Sequence, residues 1–402
     1  MKHGNICGTI AIGNNPTKTL AIGSHTDSVY DGGQYDGSVG VAVALQTAEE
    51  LIKSGKCNGI LKVVIYACEE SSRFGNACVG SKYLSGVLKK EDFNSIVGRN
   101  KGDVTLKEAI DYSNALLKEQ VPDIKEVEKI FDMVDYSLEV HTEQYDSLDR
   151  EYRKHKKDII GIVNQIGSSL RIRYNVQGKA DHTGSTPMNE RSNASTAVSY
   201  IGNQIRKLAI KYEKQGLGRA DQLEPETPGH KRSFNQIPAL GNADVDIRLI
   251  GDNTPDKVLE DFEKIKKKAE KKTRTKIETT VISKGTPIRT NKKLNEKIAE
   301  VCKKEDICYM EMPSYPGQDT GYVPAKKKTM IFIPSNNISH HPDEQTWPKY
   351  INPATRIFVA MAQELLKEKF KDKYAVKDEG KTKKQNKKDK NIKLEKDNSM
   401  VI

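Results

Sequence analysis

The residues best suited to chemistry begin in a glycine-rich loop, GSHTDSVYDGGQYDGSVG, residues 23–40. His25 and Asp27 form an HxD pair directly behind an apolar run, and Asp36 follows between Tyr35 and Gly37. An imidazole offers a nitrogen ligand to a divalent cation, and a nearby carboxylate can hold its ring in one tautomer. A further carboxylate can bridge two cations, which a neutral imidazole cannot do. Glu69 and Glu70 close a second apolar run as an adjacent pair; His141 closes a third, and His340 and His341 follow a fourth. Acids placed directly behind apolar runs are costly unless a positive charge waits there. Singly, each feature has an ordinary reading: a hydrogen-bonded structural histidine, or a glutamate pair opening a solvated helix. Jointly, four strand ends deliver imidazole or carboxylate and none delivers thiolate. That donor set suits zinc, manganese, cobalt or nickel without choosing among them. It predicts a two-metal hydrolytic site.

The elements that must position these residues are legible from periodicity. TLAIGS (19–24), LKVVIYACEE (61–70) and YSLEVHTEQ (136–144) read as strands, the first two buried. VGVAVALQTAEELIKSG reads as a helix with Val41, Leu45, Ala48 and Ile52 on one face and Gly55 as its stop. Strand–helix–strand order predicts a mostly parallel sheet with helices on its faces, and such sheets bind ligands at the carboxyl ends of their strands. The middle of the chain changes character. LRIRYNVQG alternates, with Leu170, Ile172, Tyr174 and Val176 on one face; helical and strand patterns then succeed one another in β-α-β-α-β order, with room for another strand near 216–223. This predicts a small ferredoxin-like α+β domain over 168–281, inserted into an α/β domain formed by 1–167 and 282–370. From 371 to 402 the apolar pattern is lost in lysines, as expected of a disordered basic tail.

The chain has 402 residues and a formal charge of +11. With a single tryptophan and few phenylalanines to stack on bases, the excess charge reads as a lysine-rich surface and tail, and no nucleic-acid partner is expected. The six cysteines show no CxxC pair, which suits reduced thiols in a cytoplasm. The first residues show no apolar leader region before Asn14, and no apolar run approaches a membrane span, so neither export nor a membrane is expected.

The stretches GSHTDSVYDGGQYDGSVGV, EESSRFGNACVGSKYL, LEVHTEQ, GKADHTGSTPMNERSNA, FNQIP, DVDIR and FIPSNNISHHPDE resemble, in order, the M20 family of metal-dependent amidohydrolases. They are most similar to its branch of N-carbamoyl-L-amino acid hydrolases, allantoate amidohydrolases and β-ureidopropionases. The resemblance implies two divalent metal ions in a catalytic domain interrupted by a smaller domain that serves as lid and dimer interface, hence a homodimer. It implies that His25 and His141 hold one metal, Glu70 and His340 the other, and that Asp36 bridges them. Glu69 matches the general base and Asp27 the orienting partner of His25. Asn235 and Arg248 match residues that hold a substrate carboxylate; Gln144 matches one that lines the same pocket, and His182 one that polarises the scissile group across the dimer. Histidine at 141, where dipeptidases and aminoacylases usually carry a carboxylate, points to carbamoyl or ureido substrates. The alternatives are an aminoacylase or dipeptidase of the same fold, or a non-catalytic metal-binding relative. The sequence departs from the family pattern at Gln318 in GQDT, at Tyr145 after HTEQ, and at Asn193 in RSNA.

Overall fold

The structure, a computed structural model, describes residues 4–14, 16–100, 102–121, 131–132, 134–223, 234–252 and 254–367. The expected tail, 371–402, lies outside the described residues. Contacts divide the chain into one unit of Met1–Ile162, Lys293–Glu311 and Val323–Ile402, and another of Val163–Lys292 and Met312–Tyr322.

From the N-terminus run β1 (Ile6–Ile12), β2 (Thr19–His25), α1 (Ser38–Ser54), β3 (Gly59–Tyr66), α2 (Val79–Leu84), α3 (Leu106–Gln120), β4 (Tyr136–Thr142), α4 (Ser147–His155) and β5 (Ile159–Ile166). Next come β6 (Ser168–Gln177), β7 (Asp181–His182), α5 (Ala194–Lys214), β8 (Gly218–Gln222), β9 (Gln236–Ile237), β10 (Leu240–Leu249), α6 (Pro255–Thr273), β11 (Lys276–Lys284) and β12 (Ile288–Arg289). The chain closes through α7 (Lys292–Lys304), β13 (Cys308–Ser314), α8 (Asp319–Tyr322), β14 (Lys327–Ile333) and α9 (Pro348–Leu365).

The first unit is built on the expected mostly parallel sheet. Its order is β1-β3-β2-β4-β14; β2, β3, β4 and β14 run parallel, and β1 lies antiparallel along β3. β2 and β4 are buried along their whole lengths, as the Val/Ile/Leu runs of a covered parallel sheet require. α1 and α9 pack with this sheet around Leu20, Ile22, Leu51, Leu138, Ile331 and Phe358.

Two expectations are corrected here. The buried face of α1 runs through Val43, Ala44, Thr47, Ala48 and Leu51, while Leu45 and Ile52 are more than half exposed. Gly40 lets this face lie close to the sheet: a Cβ there would stand 2.1 Å from the Val140 carbonyl. The second predicted strand ends at Tyr66, four residues short of Glu70, because Cys68 takes a left-handed conformation (φ 50°). The edge strand β1 has no counterpart in the sequence reading.

The second unit contains a four-stranded antiparallel sheet in the order β11-β6-β10-β8, in a βαββαβ succession with α5 and α6. Leu170, Ile172, Tyr174 and Val176 are all buried beneath the helices, as their alternation predicts, and β8 fills the expected strand position. Asn193 caps α5, its side chain accepting from the Thr196 N–H at 3.1 Å. Among the described residues no helix is long and apolar enough to cross a membrane.

Candidate metal centre

Parallel strands bring their carboxyl ends to one edge of the sheet, and the chemistry-bearing residues follow from that. His25 ends β2 in register with Tyr66, the last residue of β3; His141 stands on β4 beside Phe332 of β14. Asp36 precedes Gly37, the cap residue of α1. The left-handed turn at Cys68 solves a geometric problem. Adjacent residues on an extended strand point to opposite faces, but Glu69 and Glu70 lie beyond the strand end and turn toward one centre. Glu69 Oε2 lies 4.0 Å from His25 Nε2, and Glu70 Oε1 lies 3.2 Å from His340 Nε2. Gln144 (φ 61°) and His340 (φ 57°) are also left-handed. Such strain costs about 1–3 kcal/mol per residue and collects at functional sites.

Two clusters share Asp36: His25, Asp36 and His141, and Asp36, Glu70 and His340, each with ligand atoms within 4.8 Å of one another. The hydrogen bonds assign the tautomers. His25 Nδ1 lies 2.9 Å from the Asp27 carbonyl and His141 Nδ1 lies 3.0 Å from the Thr142 carbonyl. Carbonyls only accept, so each Nδ1 carries the proton and each Nε2 presents a lone pair. Those two Nε2 atoms face each other at 3.2 Å, where neutral rings have no proton to share. With the His141 ring neutral, buried Asp36 Oδ1 is left without a hydrogen bond, although it lies 3.0 Å from His141 Nε2. Leaving one such buried group unpaired costs about 1–3 kcal/mol. Lone pairs and a bare carboxylate oxygen converging in a buried pocket fit a divalent cation.

The charge balance agrees. Burial works to raise the Asp36 pKa, but the His141, His25 and His340 imidazoles outweigh it and hold the carboxyl well below the usual range. Burial works to lower the His141 pKa, yet Asp36 drives it up to about 10. The centre therefore demands positive charge at its middle, which bound cations supply as well as protons do.

Glu69 stands apart from both clusters. Burial lifts its pKa to about 7, the range of a working general base, and Cys78 Sγ donates to its Oε1 at 3.2 Å. Asp27 meets His25 through its main-chain carbonyl, with its carboxylate Oδ1 3.8 Å from the ring. That carboxylate accepts the N–H groups of Glu69 (3.2 Å) and Glu70 (2.9 Å), so it fixes the glutamate turn as well. Gln144 Nε2 donates to Asp36 Oδ2 at 3.0 Å. Sequence reasoning missed Cys78 and Glu344. A buried thiol nine residues after a glutamate carries no signal, whereas an acid four residues after His340 was available to be read.

His182, Asn235 and Arg248 belong to the second unit. The structure brings two of them together: β7 pairs with β9, His182 opposite Gln236, and the Thr183 N–H donates to the Asn235 carbonyl at 2.9 Å. His182 Nδ1 accepts the N–H groups of Gly184 and Ser185 at 3.0 and 3.2 Å, which places the proton of the neutral ring on Nε2, the donor a polarising role needs. Arg248, on β10, donates to Asp246 at 2.9 Å.

Comparison with known proteins identifies the family of the chain. A family pattern described as peptidase family M20/M25/M40 matches residues 21–364. An uncharacterized hydrolase of Haemophilus influenzae is 31% identical over 344 residues, covering 84% of this chain and 79% of that protein. An allantoate amidohydrolase of Escherichia coli is 29% identical over 85% of this chain and 80% of its own. A ureidoglycolate hydrolase of Arabidopsis thaliana is 26% identical over 82% and 68%. Among solved structures, a hydantoinase/carbamoylase family amidase from Burkholderia multivorans superposes with a TM-score of 0.77 at 22% identity, over 91% of this chain and 85% of that one, a likeness of fold. With the family pattern spanning most of its length, the chain belongs to peptidase family M20/M25/M40.

Proposed function

We propose that the protein is a metal-dependent amidohydrolase that cleaves a non-peptide C–N bond of a carbamoyl- or ureido-amino-acid-like substrate. The observation that carries this reading is Asp36, shared by two ligand clusters beside the buried, unligated carboxylate of Glu69. His25 and His141 would hold one divalent ion, Glu70 and His340 the second, and Asp36 both. When bound, such ions supply Lewis acidity and make water a stronger acid by lowering its pKa from 15.7 toward about 7.

Glu69 takes the proton of the attacking water and delivers it to the leaving nitrogen as the C–N bond breaks, so one water is consumed and an amine or ammonia leaves. Gln144 steadies Asp36 from the side. His182 polarises the scissile carbonyl through its Nε2–H, and Asn235 and Arg248 bind the substrate carboxylate, Arg248 with its two-pronged guanidinium. The relatives named for allantoate and for N-carbamoyl-L-amino acids support the substrate class, and histidine at 141 favours it over acyl-amino acids. The reading includes a cytoplasmic homodimer assembled through the second unit; none of the six cysteines is joined in a disulfide, which suits a reducing compartment.

The test strips the protein of metal, restores manganese, zinc, cobalt or nickel, and follows release of ammonia or amine from N-carbamoyl-amino acids, allantoate and N-acyl-amino acids. Turnover of the carbamoyl or ureido compounds is expected, with Glu69→Gln losing about 10²–10⁴-fold in kcat while keeping its metal. Full activity in Glu69→Gln overturns the mechanism. Two bound metals with no turnover of any substrate overturn the hydrolase reading.

A further inference from the structure

His340 differs from its fellow ligand candidates. The side chains of His25, His141 and Asp36 are 1–3% exposed, whereas that of His340 is 50% exposed, on a loop rather than at a strand end, with its backbone left-handed. Something other than burial must hold the ring toward Glu70 and Asp36.

The loop after β14 is closed at its neck by Asn336, whose N–H donates to the Gln345 carbonyl at 2.9 Å and whose side-chain amide donates to the Asp343 carbonyl at 2.7 Å. Beneath His340 sits Glu344, 1% exposed. Its Oε2 accepts the His340 N–H at 3.2 Å and its Oε1 accepts the Thr142 hydroxyl at 3.3 Å. Its own N–H donates to the His341 carbonyl at 2.9 Å. Glycine at 33 lets the loop that carries Asp36 rest on the same side chain: a Cβ there would stand 2.6 Å from Glu344 Cβ. One buried side chain thus meets the segments that bear His141, Asp36 and His340, the first and last through its carboxylate and the Asp36 loop through its Cβ. Its two oxygens each accept one hydrogen bond, from two different segments of the chain.

We infer that Glu344 is a positioning residue that sets the occupancy of the His340–Glu70 half of the metal centre by fixing the His340 backbone against the end of β4. This rests on the reading that Asp36, Glu70 and His340 hold a cation. The consequence is asymmetric: the buried His25–His141 half keeps its ion when Glu344 is lost, while the exposed half loosens. Partners of this kind change metal affinity by about 10–100-fold.

The experiment titrates the metal-free protein with manganese by calorimetry, counts bound ions after dialysis, and compares wild type, Glu344→Ala, Glu344→Gln and Glu70→Ala, with melting temperatures as the check on folding. The amide introduced by Glu344→Gln keeps one acceptor oxygen for two donors, so that variant probes the contact without opening a cavity. The expected result is one ion bound at wild-type affinity and the second about 10–100-fold more weakly in Glu344→Ala, with Glu344→Gln between. Turnover lost at limiting manganese should return to within about threefold of wild-type kcat at saturating manganese. Wild-type affinity for both ions in Glu344→Ala, joint weakening of both ions, or a kcat that added metal does not restore overturns the inference. If instead wild type binds one ion, or Glu70→Ala still binds two, the reading beneath it has failed.

Discussion

Gly37 is the position where a single methyl group would test the geometry of the whole centre. It caps α1 with φ 64° and ψ −47°, a region L-residues scarcely enter, and it directly follows the shared ligand Asp36. An added Cβ would lie far inside contact distance of the His25 ring. Gly37→Ala therefore imposes two costs. Backbone strain is worth about 1–3 kcal/mol, and overpacking against His25 a further 1–3 kcal/mol or so. The turn carrying Asp36 and the His25 ring are the parts free to yield, and both are ligand candidates. If roughly 2–4 kcal/mol of the total falls on them, metal affinity drops about 30–1,000-fold, at 1.4 kcal/mol per tenfold. Where about 1–3 kcal/mol of strain remains in the metal-free protein, its melting temperature falls by roughly 2–12 °C, at about 2–4 °C per kcal/mol for a unit of this size. Calorimetric metal titration and differential scanning calorimetry read the two effects separately. Gly55→Ala is the control: Gly55 also has positive φ (59°), but nothing lies within 4 Å of its added Cβ, so it should lower the melting temperature slightly and leave metal affinity alone. A Gly37→Ala protein that binds metal within twofold of wild type and melts within 1 °C of it would refute the placement of His25 against the Asp36 turn.

Two further outcomes follow from the surroundings of Glu69. Its pKa in the metal-free fold is raised by burial from 4.5 to about 7, so the proton it binds stabilises the fold fully below about pH 4.5, and that contribution is lost as pH rises through 7. Glu69→Gln should accordingly match the metal-free wild type near pH 5 and exceed its stability at pH 8, by at most about 3 kcal/mol; an equal difference at both pH values would contradict the burial argument. Cys78→Ala, which removes the donor to Glu69 Oε1, should cost about threefold to tenfold in kcat with KM and metal content unchanged. Cys78→Ser should recover most of that, and an alanine variant with wild-type kcat would show that the thiol plays no part in positioning the base.

Much of the centre was legible in the amino-acid sequence because its signal is local. An apolar run long enough to be a buried strand, followed at once by His25, by Glu69 and Glu70, by His141 or at short remove by His340, tells where polar atoms leave the core, whatever the rest of the chain does. The same locality let alternation place Leu170, Ile172, Tyr174 and Val176 on one face. It half failed for α1, where Val41 and Ala48 are buried as 3.6-residue periodicity predicted, but packing buried Val43, Ala44 and Leu51 in place of Leu45 and Ile52. It also missed β1, whose partner β3 lies some fifty residues away.

Only tertiary structure decided how the ligand residues meet. Nothing in EE says that Cys68 would turn left-handed and aim both carboxylates at one centre, nor that Asp27 would hold that turn from 42 residues upstream. The link from Glu344 to Thr142 spans 202 residues, and the facing Nε2 atoms of His25 and His141 come from strands 116 residues apart. Residue type and a strand end are properties of a short segment. A hydrogen bond across the sheet edge depends on register, twist and the close approach of loops, which no short segment contains.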